Sequence, residues 1–129
     1  MNRETARYSP RVHELFARLP GADSLPAGPG ARVTGEAIAL DRGAWIRFDA
    51  RIEGGRIAAC VFRAWGCPHT LAAAAWVAQE LRTHAVIDCS SVNAMRLARE
   101  LDAPAEKMGR LLVVEDALTA LLERARAVQ

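Results

Sequence analysis

The residue with the clearest chemical potential is Cys67, which stands where a strand-like run meets a helix-like run. The third strand-like run ends at Trp65-Gly66, and Pro68 follows the cysteine and opens an Ala-rich stretch. Proline suits the first position of a helix, so Cys67 falls at or beside the N-cap, where unpaired N–H groups and the helix dipole favour an anion. A thiol there should have a lowered pKa and act as a thiolate. The alternative is that a small polarizable side chain merely fills the N-cap.

The other cysteines and the histidines give weaker signals. Cys60 lies inside the third strand-like run and Cys89 in a loop, and both are interpreted as small buried or half-buried residues. His69 is two residues after the junction cysteine, a spacing that lets both side chains reach one metal, although the pattern is more typical of a surface histidine at a helix start. We expect His84 to cap the end of the same helix and His13 to lie on a solvated face.

Composition indicates one globular domain over residues 1–129, because 51% of the residues are hydrophobic and 25% are charged. A net charge of +2 with scattered arginines favours neither nucleic acid nor a membrane as partner. No apolar run approaches the roughly 20 residues that span a bilayer, and the first twenty residues carry charges in place of a signal-peptide stretch. Three cysteines are an odd number and cannot all pair, which disfavours a disulfide framework. We therefore expect a cytoplasmic protein.

The order of the elements predicts an α+β domain. A short amphipathic helix should follow the capping pair Ser9-Pro10, and a loop rich in proline and glycine should occupy residues 20–30. Alternation in the middle strand-like run predicts one buried face and one wet face. Strands followed by helices favour a three-stranded antiparallel meander with the helices packed on one face. The predicted elements are strands over 31–40, 44–52 and 56–65 and helices over 68–84, 91–101 and 104–127.

The segment from Ile57 to Leu81 resembles the IscU/NifU-type iron–sulfur cluster assembly scaffold. The likeness rests on the run Phe62 to Cys67, on the Ala-rich helix that carries Glu80-Leu81, and on Glu115-Asp116-Ala117-Leu118 in the last helix. It extends over most of the chain and includes the opening helix after Tyr8-Ser9-Pro10 and the meander. The resemblance implies that the chain has the fold of these scaffolds. Single-cysteine sulfur acceptors of the SufE type have the same general fold.

The resemblance also implies a function. It implies a role in iron–sulfur cluster assembly without enzymatic activity of its own, an iron–sulfur cluster or zinc as the bound group, and a cysteine desulfurase and other assembly proteins as partners. A homo-oligomer is compatible with it. Family members typically hold the metal with three cysteines and add a nearby aspartate and histidine.

The ligand positions of the family are mostly replaced in this chain. The Cys-Gly-Asp turn between the first two strands reads Arg42-Gly43-Ala44, and the His-Cys pair that opens the last helix reads Gly109-Arg110. Of the three cysteines only Cys67 is retained. A cluster or structural zinc site normally needs four ligands, several of them thiolates. One chain therefore lacks an evident set of ligands for a cluster or zinc. A metal on Cys67 would need His69, a second subunit or a partner to complete its coordination.

The replacements also change the charge around the cysteine. If the family fold holds, Arg42 and Arg110 approach the Cys67 turn from two sides, which disfavours a cation and favours a thiolate, a persulfide or another small anion. The alternative is that both long side chains swing outward into water.

Three functions follow as hypotheses. The first is a scaffold in iron–sulfur assembly, with Cys67 as one ligand and the other ligands supplied from elsewhere. The second is a sulfur carrier, in which Cys67 accepts persulfide sulfur from a cysteine desulfurase. The third is a degenerate binding module that keeps a docking surface and no chemistry.

Overall fold

A three-stranded antiparallel sheet in the order β1-β2-β3 forms one layer of the fold, and helices form the other. The computed structural model describes residues 8–19, 24–82 and 84–128. The strands are β1 (Ala31–Ala39), β2 (Ala44–Glu53) and β3 (Arg56–Trp65), and the α-helices are α1 (Pro10–Arg18), α2 (Pro68–Leu81), α3 (Ala94–Leu101) and α4 (Met108–Ala127). Short 3₁₀ helices cover Leu40–Arg42, Val86–Ser91 and Ala105–Lys107. The predicted α+β class and the meander are confirmed.

The first helix begins as the sequence predicts. The Ser9 hydroxyl accepts a hydrogen bond from the Val12 N–H at 3.2 Å, and Pro10 occupies the first turn. Val12 and Leu15 are fully buried. The predicted loop over 20–30 is irregular from residue 24 onward, and residues 20–23 lie outside the described part of the chain. No described helix has the length and apolar character needed to cross a bilayer.

The pairing of the strands places the apolar residues of β2 under the helices. Ile46 and Phe48 are fully buried, as the alternation predicts. The opposite face is wet only in part, because Asp49 is 8% exposed. Its carboxylate accepts a hydrogen bond from the Thr34 hydroxyl at 2.6 Å and pairs with Arg47 at 3.2 Å, which compensates for the loss of water.

Close approach between α4 and β1 depends on a glycine. A Cβ at Gly35 would lie 2.3 Å from the backbone nitrogen of Leu121 and 2.4 Å from the carbonyl oxygen of Ala117, so a side chain there would displace the helix. Helix α4 covers β1 and β2, while α2 packs on β3 and α1 packs on α2. This arrangement positions the start of α2 at the end of the sheet.

Helix α2 ends earlier than predicted because the following segment pairs with the edge of the sheet. The Ile57 N–H donates to the carbonyl oxygen of His84, and the Val86 N–H donates to that of Gly55, both at 2.9 Å. The helix stops at Leu81. His84 is exposed and lies just beyond the helix end, where its N–H donates to the carbonyl oxygen of Leu81 at 3.2 Å and its ring Nδ1 lies 3.3 Å from the carbonyl oxygen of Arg82, so its predicted place at the cap of α2 is confirmed.

Helices α3 and α4 begin later than predicted. The Asn93 side chain accepts from the Arg96 N–H at 2.9 Å, and a Glu115 carboxylate oxygen accepts from the Ala94 N–H at 2.8 Å. These two acceptors fix the start of α3 at Ala94, because they satisfy donors that have no partner within the helix. The chain before each helix forms a 3₁₀ turn, and α4 begins at Met108.

Candidate functional site

Gly66 turns the chain from β3 into α2. Its φ is +152°, and a Cβ there would lie 2.9 Å from the Cβ of Thr70, so a side chain would press on the first turn of the helix. Cys67 follows as the N-cap with extended backbone, and Pro68 is the first helical residue. The predicted position of Cys67 at the helix start is confirmed.

The Cys67 thiol is half-buried and lies 3.7 Å from the hydroxyl of Thr70. Burial acts to raise its pKa, but the His69 side chain, the N–H and hydroxyl of Thr70 and the N–H of His69 favour the thiolate, so the pKa falls from 9.0 to about 6. The sulfur closes no capping hydrogen bond with the first turn. The N–H groups of His69 and Thr70 nevertheless stabilise the thiolate as hydrogen-bond donors. At neutral pH this thiol is mostly ionised.

His69 is buried, with 1% of its surface exposed, so the prediction of a surface histidine is wrong. The reason is that α1 packs on α2, and the ring of Tyr8 lies 4.9 Å from the His69 ring, centroid to centroid. Within the described part of the chain neither ring nitrogen has a hydrogen-bond partner. A buried polar group without a partner costs about 1–3 kcal/mol. The ring nevertheless lies within reach of the Cys67 sulfur and stabilises its thiolate as a hydrogen-bond donor.

The other two thiols are placed differently. Burial raises the pKa of Cys60 to about 12 in β3, and burial followed by the charge of Asp88 raises that of Cys89 to about 11. Both cysteines are buried, as predicted, although Cys89 lies in a 3₁₀ helix, where its thiol donates to the carbonyl oxygen of Ala85 at 3.4 Å. Thiolate chemistry at neutral pH therefore concentrates on Cys67.

The turn before β2 and the start of α4 meet through Arg42 and Gly109. A Cβ at Gly109 would fall 2.0 Å from Nη1 and 2.6 Å from Cζ of Arg42, so the guanidinium occupies the space a side chain would take. Arg110 is half-buried, and its Nε has no hydrogen-bond partner among the described residues. The groups that shift the Cys67 pKa belong to the start of α2. An effect of the two arginines on the thiolate stays a prediction.

The donor set does not fit an iron–sulfur cluster or zinc held by one chain. Among residues 8–19, 24–82 and 84–128, no three His, Cys, Asp or Glu side chains group closely enough to hold a metal ion. Cys67 and His69 offer two donors where such sites normally use four. The Arg42 guanidinium, at a position where the resemblance implies a cysteine, adds positive charge.

An exposed apolar row crosses the sheet beside the site. Ile38 pairs with Trp45 and Trp45 pairs with Trp65, so the three side chains share the face opposite the helices. Ile38 is 58% exposed and Trp65 44% exposed, while the Trp45 indole donates to Glu36 at 2.7 Å. Such contiguous exposed apolar residues mark interaction surfaces. Sequence reasoning missed the row, because only the strand register reveals it.

The family described as NifU-like N terminal domain matches residues 21–127. The chain belongs to this family. The resemblance seen in the sequence is thereby confirmed.

Solved structures of NifU-like type share the fold. One is a protein from Fervidobacterium islandicum AW-1 named as a candidate iron–sulfur cluster assembly scaffold for the SUF system, with a TM-score of 0.75, 12% identity, and 91% of this chain and 97% of that chain covered. Another is the N-terminal part of a nitrogen-fixing NifU-like protein from Brucella abortus, with a TM-score of 0.71, 13% identity, and 92% and 94% covered. At these identities the likeness shows the fold alone. No curated protein matches the chain in sequence.

Proposed function

We propose that this NifU-like domain serves iron–sulfur cluster assembly as a single-cysteine sulfur acceptor. In this role Cys67 takes a sulfane sulfur from a cysteine desulfurase and passes it to a later acceptor. The observation that carries the proposal is the half-buried thiol at the start of α2, whose lowered pKa leaves it mostly ionised at neutral pH. Family membership supports the process, and the scaffold named for the Fervidobacterium structure is consistent with it.

The transfer follows from thiol–persulfide exchange. The Cys67 thiolate attacks the outer sulfur of the donor's persulfide, a new S–S bond forms on Cys67, and the donor's S–S bond breaks. The donor cysteine leaves with that electron pair as a thiolate and takes up a proton from solvent. Sulfur moves between two cysteines, and nothing is oxidised or reduced overall. A low pKa suits Cys67 to this step, because the thiolate is the attacking species.

A cluster-building scaffold is the second candidate function. The retained fold and Cys67 favour it. It requires thiolates from a second subunit or a partner, because Arg42 and Arg110 stand where the resemblance places cysteines. The Arg42 guanidinium against Gly109 weighs against a cation at that place, so the carrier is preferred.

The partner surface of the carrier is the row formed by Ile38, Trp45 and Trp65. Trp65 lies two residues before Cys67 in the chain, so we expect a protein that brings a persulfide to this thiol to cover Trp65 as well. Burial of exposed apolar surface would then contribute to binding the donor. A degenerate binding module would use the same row without sulfur chemistry.

The decisive experiment compares sulfur transfer with cluster formation. The full chain is incubated anaerobically with a cysteine desulfurase and cysteine, and intact-mass and peptide mass spectrometry locate the added sulfur. We expect one sulfur atom on Cys67, retained in a Cys60→Ser, Cys89→Ser variant and lost in Cys67→Ser. In parallel, the chain is treated with iron and sulfide, and absorbance and metal analysis measure cluster formation. A stoichiometric cluster without persulfide on Cys67 would instead favour the scaffold, and neither product would favour the binding module.

A further inference from the structure

His69 is an unusual residue to find buried at the start of a helix without a partner. It is 1% exposed, and neither nitrogen of its ring has a hydrogen-bond partner in the described part of the chain. Tyr8 packs against the ring but satisfies neither nitrogen. Buried polar groups nearly always have partners in folded proteins, so an unpartnered one indicates a missing ligand. The ring is close enough to the Cys67 thiol to favour its ionised form.

Other hydrogen-bond donors converge on the same place. The Thr70 hydroxyl is 3.7 Å from the Cys67 sulfur, which is long for a hydrogen bond to oxygen and weak even for sulfur. Helix α2 has 14 residues, and the Cys67 side chain closes no capping bond, so first-turn N–H groups remain available. Together these groups form an anion-favouring pocket around the sulfur.

A persulfide on Cys67 would place a second sulfur among these groups. The S–S bond is about 2 Å long, so the terminal sulfur stays within reach of the first turn. This sulfur is anionic when deprotonated, and hydrogen bonds to charged groups are stronger than those between neutral groups. The unpartnered His69 ring and the weakly bonded Thr70 hydroxyl thus gain a further acceptor when sulfur is loaded.

We propose that the His69 ring, the Thr70 hydroxyl and the first N–H groups of α2 bind the terminal sulfur of a persulfide on Cys67, an inference that rests on the proposed function. The ligand class is a sulfane sulfur anion. The contacts are hydrogen bonds, with no further covalent bond made or broken. Their effect is to prolong the life of the loaded state until an acceptor arrives. His69 is in this sense a positioning residue for bound sulfur.

The test measures how long sulfur stays on Cys67 after loading. Inorganic polysulfide serves as the probe, the excess is removed by desalting, and intact-mass spectrometry follows the loss of the added sulfur under anaerobic conditions. His69→Phe keeps an aromatic ring against Tyr8 and removes both nitrogens. Thr70→Val keeps the side-chain shape and removes the hydroxyl. His69→Asn retains a polar donor, and His84→Ala is the matched control at an exposed histidine.

We expect the persulfide lifetime to fall about tenfold in His69→Phe, which corresponds to the loss of one hydrogen bond to a charged group. Thr70→Val should shorten it less, His69→Asn should restore part of it, and His84→Ala should leave it unchanged. Alkylation of Cys60 and Cys89, monitored in the folded state, shows whether the fold is intact. A purely structural histidine would not lower the lifetime in a variant that is folded and equally stable.

The outcomes separate this inference from the proposed function. If the parent chain loads sulfur and His69→Phe holds it as long as the parent does, the inference is overturned and the carrier function stands. If His69→Phe does not fold, unchanged lifetimes in both His69→Asn and Thr70→Val overturn it equally. If the parent takes no sulfur on Cys67 from either polysulfide or desulfurase, the carrier function fails and the inference fails with it.

Discussion

The guanidinium of Arg42 lies over Gly109, with Nη1 2.0 Å from the point where a Cβ would stand. The two residues are far apart in the chain, and they bring the turn before β2 to the first turn of α4. In the IscU/NifU-type sequences that the chain resembles, both of these places carry metal ligands. Here a cation fills the space, which is the physical basis for expecting that a metal is excluded.

Restoring thiolates should therefore reverse the metal preference. The double variant Arg42→Cys, Arg110→Cys removes two positive charges and adds two thiols, and it should bind zinc that the parent chain does not bind, since convergent thiolates bind zinc tightly. Ala44 is fully buried, so Ala44→Asp is left out because it would bury a carboxylate. The measurement is zinc per folded chain at neutral pH.

Two controls make this zinc measurement specific. Arg32→Cys with Arg124→Cys adds the same number of thiols at exposed positions and should bind no zinc tightly. Arg110→Cys alone should bind much less than the double variant. A folded double variant that holds no more zinc than the exposed-thiol control would mean that positions 42 and 110 do not converge on Cys67.

The pH dependence of Cys67 alkylation should reveal its low pKa. With a pKa of about 6, roughly nine-tenths of the thiol is ionised at pH 7, whereas the pKa values of Cys60 and Cys89 are raised to about 12 and 11. The iodoacetamide rate at Cys67 should rise through pH 6 and level off below pH 8. Peptide mass spectrometry separates the three sites. Equal rates at all three in the folded chain would contradict the assignment.

The same shift should appear in stability. The folded Cys67 thiol loses its proton near pH 6 and the unfolded thiol near pH 9.0, so between these values the unfolded chain binds more protons. The contribution of the thiolate to the free energy of unfolding is thus full above pH 9 and is lost as the pH falls through 6. The difference in unfolding free energy between the parent and Cys67→Ala should rise with pH over this window. Urea titrations would measure it, and a flat difference would refute the shift.

The sequence predicted the parts of the site that depend on neighbours in the chain. Gly66 and Pro68 flank Cys67, and these local signals are enough to place a thiol at a helix start. The burial of His69 depends on α1 packing against α2, which no spacing in the sequence encodes. The contact between Arg42 and Gly109 likewise joins distant segments.

The exposed row and the ends of the helices were not predicted from the sequence for a related reason. The strand register makes Ile38, Trp45 and Trp65 neighbours, and the sequence does not reveal this register. A shift of the pairing by one residue would turn a side chain to the other face. The early end of α2 results from hydrogen bonds between the chain around His84 and the edge of β3. Long-range backbone pairing overrode helical periodicity there.

Replacing His69 should stabilise the fold while it weakens sulfur retention. His69→Leu removes two buried nitrogens that have no partner in the described part of the chain and keeps apolar contact with Tyr8, so the free energy of unfolding should rise by about 1–3 kcal/mol. Chemical denaturation at pH 7.5 would measure the change. His84→Leu, at an exposed site, should change stability by less than about 0.5 kcal/mol. A loss of stability in His69→Leu would show that the nitrogens are satisfied in solution.

Trp65 should affect the rate of sulfur transfer to Cys67 from a protein donor and not the rate from a small-molecule donor. Trp65→Ala removes an exposed aromatic side chain two residues before Cys67, so sulfur transfer from a cysteine desulfurase should slow about tenfold, the size expected for one aromatic contact at an interface. Loading by inorganic polysulfide should be unchanged, because the thiol and the first turn of α2 remain intact. Ile87→Ala removes an apolar side chain that is 76% exposed in the 3₁₀ helix Val86–Ser91, and it should affect neither rate. Equal slowing with both donors would indicate damage to the Cys67 junction. An unchanged rate with the desulfurase would show that the donor approaches Cys67 without covering the row.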